Sequence, residues 1–162
     1  MFKPALILAA LVATPAFAQA PETPATFVMK AGASDLYEKQ SSQSVLKTTK
    51  NPGVRSFAQM MITDHGKTTA TVMAAAKTAG IRPAPPKLDA PKAQMIADLN
   101  RATGPARDAL YLQQQATAHQ EALALHQGYS TSGTQPALKA AATKAVPIVQ
   151  HHIEMISAIK PS

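Results

Sequence analysis

The sequence predicts an all-α fold, a four-helix bundle with one long crossover between the second and third helices. Three observations predict it. Apolar residues recur at three- and four-residue steps along four long segments, and no segment alternates as a strand would. Proline and glycine fall at the joints between those segments. Two joints are short and one is long, which restricts how the helices can lie beside one another.

The first eighteen residues stand apart from this pattern. Lys3 gives a positive start, Ala5 to Ala13 is an apolar run too short to span a bilayer, and Ala16-Phe17-Ala18 is an A-x-A cleavage signal. Residues 1–18 therefore read as a secretory signal peptide, and export to the periplasm or an envelope surface is expected. Its removal leaves 162 − 18 = 144 residues, a size that suits one domain. Residues 19–26, Pro-rich and polar, read as a flexible lead-in to a bundle domain over 27–160.

Helix one is expected over 27–49. Helix two, over 52–79, starts at Asn51-Pro52, where proline's missing N–H costs nothing in a first turn. Gly80 ends it. A connector then runs from Ile81 to Gly104, opening with IRPAPPKLDAP and holding a short helix near 91–100. Helix three, over 105–129, starts at Gly104-Pro105. Helix four, over 135–159, starts at Gln135-Pro136, and Pro147 inside it is expected to kink it.

The tight joint at Lys50-Asn51 and the short loop before Gln135 make two antiparallel hairpins. The connector is different. A helix of about 26 residues is roughly 39 Å long. A Pro-rich stretch rising about 3.1 Å per residue, followed by a short helix, can run back along that length. A bundle with one such crossover is the ferritin-like arrangement.

Composition removes several classes of function. The chain has no cysteine, which excludes disulfides, thiolate metal sites and cysteine nucleophiles. No later segment approaches eighteen consecutive apolar residues, so no membrane span is expected in the mature chain. Sixteen Lys and Arg against nine Asp and Glu give a net charge of +7, or +6 once Lys3 is removed with the leader. Such a surface favours anionic envelope components as partners. Nucleic acid is not expected, because beyond the leader Phe27, Phe57 and three tyrosines are too few aromatics for a stacking platform. There is no Gly-x-Ser-x-Gly, no Gly-rich phosphate loop and no His-Glu-x-x-His. The serines at 41, 42 and 44 have no base on their own helix, and six scattered methionines read as core filling rather than a copper cluster.

What remains is a set of histidines on apolar stripes. On helix two, Val54, Phe57, Met61, His65, Thr68, Val72 and Ala76 share a face, with Asp64 just off it. On helix three, Leu112, Ala116, His119, Leu123 and His126 share one, beside a strip of Asp108, Tyr111 and Gln115. On helix four the stripe is Leu138, Ala141, Ala145, Ile148, His152, Met155 and Ile159, with His151 turned away by about 100°. On helix one, Phe27, Ala31, Glu38 and Val45 align. Glu38, His65 and His119 fall within about 3 Å of mid-height, and His152 about 8 Å from it.

Neutral imidazole is a common transition-metal ligand, and a carboxylate completes a set suited to Zn, Fe, Cu or Ni. Glu38, His65, His119 and His152 are the candidate ligands. Asp64, Asp108 and Tyr111 are candidates for fixing the imidazoles from behind. The same residues could instead form a hydrogen-bonded layer that sets helix register. A di-iron centre is not expected, because the chain lacks the Glu-x-x-His pairs that such bundles use. If the three histidines are buried and neutral, stability should fall as pH drops below about 6.5.

These residues carry a resemblance. Ala-Ser-Asp-Leu-Tyr-Glu at 33–38, Phe57-Ala58 leading to Asp64-His65, Asp108 and Tyr111 leading to His119, and Val146-Pro147 followed by His152 occur in that order along the mature chain. They resemble an exported bacterial ferritin-like family of unknown function, whose members are often labelled putative outer-membrane proteins. Gly66 departs from it, standing where the family usually has Thr. The resemblance implies an all-α ferritin-like bundle in the cell envelope and supplies no activity. Two readings of function follow. The first is a non-enzymatic envelope bundle with a binding or stress-related role and a structural polar layer. The alternative is a metal-binding protein, with redox chemistry as one use of a His/Glu core cluster.

Overall fold

The computed structural model describes residues 22–160, so the expected signal peptide over 1–18 lies outside the described residues. The all-α expectation holds: five helices and no strand occur among the described residues. They are α1 (Pro24–Leu46), α2 (Pro52–Thr78), the short α3 (Ala90–Arg101), α4 (Gly104–Ser132) and α5 (Pro136–Ala158).

The helix starts follow local chemistry. Thr23 accepts from the Thr26 amide, Asn51 from the Gly53 and Val54 amides, and Asp89 from the Lys92 amide, so each caps orphan N–H groups. Each start also has proline in the first turn. The Thr23 cap brings residues 24–26, expected in the flexible lead-in, into the first turn of α1. At the end of α2, Gly80 adopts φ 72°, and the Ile81 amide reaches back to the Ala76 carbonyl at 2.9 Å. This is a glycine-dependent helix stop. α5 continues through Pro147 to Ala158.

Among the four long helices, α1 packs on α2 and α4, and α5 packs on α2 and α4. α3 lies against α1 and α4. α1 and α4 run in opposite directions. Phe27, near the start of α1, stacks on Tyr129 near the end of α4, and Thr49, just past α1, donates to Asp108 near the start of α4 at 2.8 Å. Phe27 also shares an apolar cluster with Val72 and Ala76 near the end of α2. Residues 79–103 therefore connect opposite ends of the α1 axis.

Serines explain how closely α1 and α4 are tied. Ser42 and the Tyr111 hydroxyl are 2.8 Å apart, Gln115 Nε2 donates to Ser41 Oγ at 2.9 Å, and Tyr37 donates to Gln114 Oε1 at 3.1 Å. The serine crowding on this helix thus serves a polar seam.

The interior divides into two apolar clusters. One joins Phe27, Val28, Ala31, Val72, Ala76, Tyr129, Leu138, Ala141 and Ala142. The other joins Val45, Val54, Phe57, Ala58, Met61, Leu99, Tyr111, Leu112 and Ile156. Along each long helix, buried polar residues lie between these two sets: Asp35 and Glu38 on α1, His65 on α2, His119 on α4 and His152 on α5. A polar slab therefore separates two apolar halves. No described helix is long and apolar enough to cross a membrane.

Candidate metal centre

His65, His119 and His152 come together. One nitrogen from each lies within 4.8 Å of the others, and all three residues are buried. The ring centroids are 5.3 to 5.4 Å apart, and His119 Nε2 is 3.2 Å from His152 Nδ1. Two ligand atoms on one tetrahedral ion, each at about 2.0–2.1 Å, stand about 3.3 Å apart. The His119–His152 pair already has that spacing.

The far side of each imidazole is held by an oxygen. His65 Nδ1 is 2.8 Å from Asp35 Oδ1. His119 Nδ1 is 2.8 Å from the Gln115 carbonyl. His152 Nε2 is 3.4 Å from Asp64 Oδ2. Tethering the remote nitrogen fixes the tautomer and ring direction, as metal-binding histidines require. Asp35 is itself steadied by the hydroxyls of Thr68 and Thr69, each donating to Oδ2 at 2.9 Å. The tethers for His65 and His119 leave their Nε2 atoms for the centre. His65 Nε2 has no hydrogen-bond partner.

The electrostatics suit a cation in this slab. Burial lowers His119 to about 3 and His152 to about 4, and in each case the nearby His65 charge adds to the effect. Both rings are therefore neutral at ordinary pH and free to ligate. His65 goes the other way. Burial alone would lower it, but the Asp35 hydrogen bond and the charges of Glu38, Asp35 and Asp64 outweigh burial and leave it raised. At neutral pH it is the Asp35 and Asp64 carboxylates that favour positive charge on His65.

Glu38 takes a different place from that expected. It is fully buried, and its Oε1 lies 3.6 Å from His119 Nδ1, on the nitrogen that faces Gln115 rather than His152. Neither carboxylate oxygen has a hydrogen-bond partner, and Glu38 is outside the close trio. Burial pushes its carboxyl up to about 8, with the Asp35 charge adding to this and His65 opposing it. Glu38 is thus largely protonated at neutral pH.

Of the three residues expected behind the imidazoles, Asp64 is there, on His152. Asp108 and Tyr111 are engaged elsewhere: their hydrogen bonds go to Thr49 and Ser42, beside the cluster of Phe57 and Tyr111. The oxygens found instead are Asp35 and the Gln115 carbonyl. Asp35 carried a usable signal, being four residues beyond Ala31 on the α1 stripe and three before Glu38. A backbone carbonyl has no sequence signal. His126 is buried, with its Nδ1 unpartnered and its ring edge-on to Phe27, while His151 is exposed.

The fold and site together define a class: an all-helical protein whose interior carries a buried, outward-tethered histidine trio. The chain belongs to the family described as "Domain of unknown function (DUF4142)", whose model matches residues 10–159. No curated protein matches it. A crystal structure of a DUF305 fragment from Deinococcus radiodurans is similar in fold, with a TM-score of 0.72 at 17% identity. The match covers 83% of this chain and 93% of that one.

Proposed function

We propose that the protein is a non-enzymatic, metal-binding helical bundle of the cell envelope. In this reading His65, His119 and His152 hold one transition-metal ion, and the four long helices form a ferritin-like bundle with residues 79–103 as its crossover. The leader-like residues 1–18 support export, and the net positive charge favours anionic envelope components around it.

One observation carries the metal reading. His65 Nε2 is a buried ring nitrogen without a partner, and it belongs to a trio whose other rings turn nitrogens toward each other. In a purely hydrogen-bonded layer that nitrogen is a loss of about 1–3 kcal/mol. A metal ion satisfies it. It also supplies the positive charge that the Asp35 and Asp64 carboxylates already favour at His65. Loading requires movement, because ligands of one ion at about 2.0–2.1 Å cannot be separated by more than about 4.1 Å. The atoms within 4.8 Å must draw in where they exceed that span.

Metal analysis of untagged protein purified from the periplasm tests the proposal. Near-stoichiometric metal that disappears in His65→Ala and His119→Ala is the expected result. Protein that is empty, and whose unfolding midpoint is unmoved by added Zn, Cu or Fe, would leave the slab a structural layer.

A further inference from the structure

The three tethers differ in one respect. Asp35 and Gln115 are buried, so His65 and His119 are closed off behind. Asp64 keeps 27% of its side chain exposed, on the seam where α2 packs against α5. His152 spans that difference: its Nδ1 faces His119 inside, and its Nε2 faces Asp64 at the surface. From this geometry we infer that Asp64 and His152 form an outer cation site through which a metal ion enters the buried trio. The inference rests on the metal reading above.

The spacing supports a shared ion. Asp64 Oδ2 and His152 Nε2 are 3.4 Å apart, close to the roughly 3.3 Å expected of two ligands on one tetrahedral ion. Exposure supports it too: the Asp64 carboxylate is reached from solvent while the His152 ring behind it is buried, so an arriving cation meets the carboxylate first. Lys67 Nζ lies 3.1 Å from Asp64 Oδ1. That lysine side chain is 72% exposed and paired at the surface, so it can swing away at little cost. Lys67 is thus a latch over the entrance. His152 is well placed to receive the ion because it already contacts both sides. The transfer itself is ligand exchange: the bonds to Asp64 and to His152 Nε2 break as bonds to the inner imidazoles, His152 Nδ1 among them, form, while Nδ1 gives its proton to solvent and Nε2 takes one up.

Zinc uptake by the metal-stripped mature chain tests this, with the rate followed by competition against a chromophoric zinc indicator. Asp64→Asn keeps the size and an oxygen that accepts from His152, but loses the charge. Loading should slow by about tenfold, the lower end of electrostatic steering effects. Release should slow in parallel, leaving one zinc per chain at near-unchanged affinity. Lys67→Met should load faster than wild type. Asp98→Asn, which removes a carboxylate on α3, and Lys144→Met on α5 should load like wild type. An Asp64→Asn chain that loads at the wild-type rate would overturn the entrance while leaving the trio's metal site standing. So would one that loses affinity with its loading rate intact, since Asp64 would then be an anchor for His152. A wild-type chain that takes up no zinc overturns the metal reading itself. Circular dichroism of each variant confirms the fold, and Lys67→Met changes an exposed side chain only.

Discussion

Replacing Glu38 by Gln should stabilise the protein at neutral pH and do so much less in mild acid. Glu38 is fully buried with neither oxygen hydrogen-bonded, and burial raises its carboxyl from 4.5 to about 8. A group whose folded value is raised contributes stability that is present below the unfolded value and lost as pH rises toward the folded one. The unfolded carboxyl ionises near 4.5, while the folded one holds its proton to about 8. Between those values each pH unit costs about 1.36 kcal/mol. From about pH 5 to about pH 7.5, rounding at both ends leaves a little over two units, or about 3 kcal/mol. Glutamine has no such linkage, and its amide can donate as the protonated acid would. The stability difference between Glu38→Gln and wild type should therefore grow by about 3 kcal/mol over that interval, read from urea unfolding followed by circular dichroism. A difference equal at the two pH values within about 0.5 kcal/mol would mean that Glu38 is ionised or hydrated in the folded protein, and the account of its burial would be wrong.

In that same Gln variant the histidines should become visible. His119 and His152 are depressed to about 3 and about 4, so their contribution is present above 6.5 and lost as pH falls. Acidifying the variant from about pH 7.5 to about pH 5 should remove about 2 kcal/mol for each of them. Glu38, and His65 with its raised value, pull the other way, so the wild type should respond far less than three neutral histidines would. A wild-type profile as steep as the variant's would refute this offset. Gly66→Ala should add about 1 kcal/mol, or about 3 °C of melting temperature, because a Cβ there meets nothing within 4 Å in mid-helix. Gly133→Ala should cost about 1–3 kcal/mol, since its Cβ would fall 2.5 Å from the Tyr129 carbonyl; calorimetry of both glycine variants gives the signs. Phe57→Ala should cost about 3–5 kcal/mol by the same measurement, for it is fully buried between Tyr111 and the His119–His152 pair.

The α2 stripe was legible without qualification. Val54, Phe57, Met61, His65, Thr68, Val72 and Ala76 are all buried. On α5 the first half of the stripe and His152 are buried as expected, but beyond Ala145 Val149 and Ile156 are buried in place of Ile148 and Met155. Both sets repeat at three- and four-residue steps, so periodicity cannot choose between them, and the packing of α5 on α2 and α4 does. The same ambiguity affects α4, where Ala118 and Ala122 are buried and Ala116 and Leu123 are only partly so.

For this protein the sequence by itself determined the elements and their content. Caps, prolines and glycines mark where helices begin and end, and three-four periodicity marks three histidines as interior, because both are local and repeat along one helix. Only the tertiary structure decided what those histidines do to one another. It brought nitrogens of His65, His119 and His152 within 4.8 Å of one another and moved Glu38 to the Gln115 side of His119. It also chose Asp35 and a backbone carbonyl over Asp108 and Tyr111 as the oxygens behind the rings. These outcomes depend on the rotation and height of each helix against its neighbours. A shift of one residue turns a side chain by about 100° and moves it about 1.5 Å, enough to make or break a ligand set.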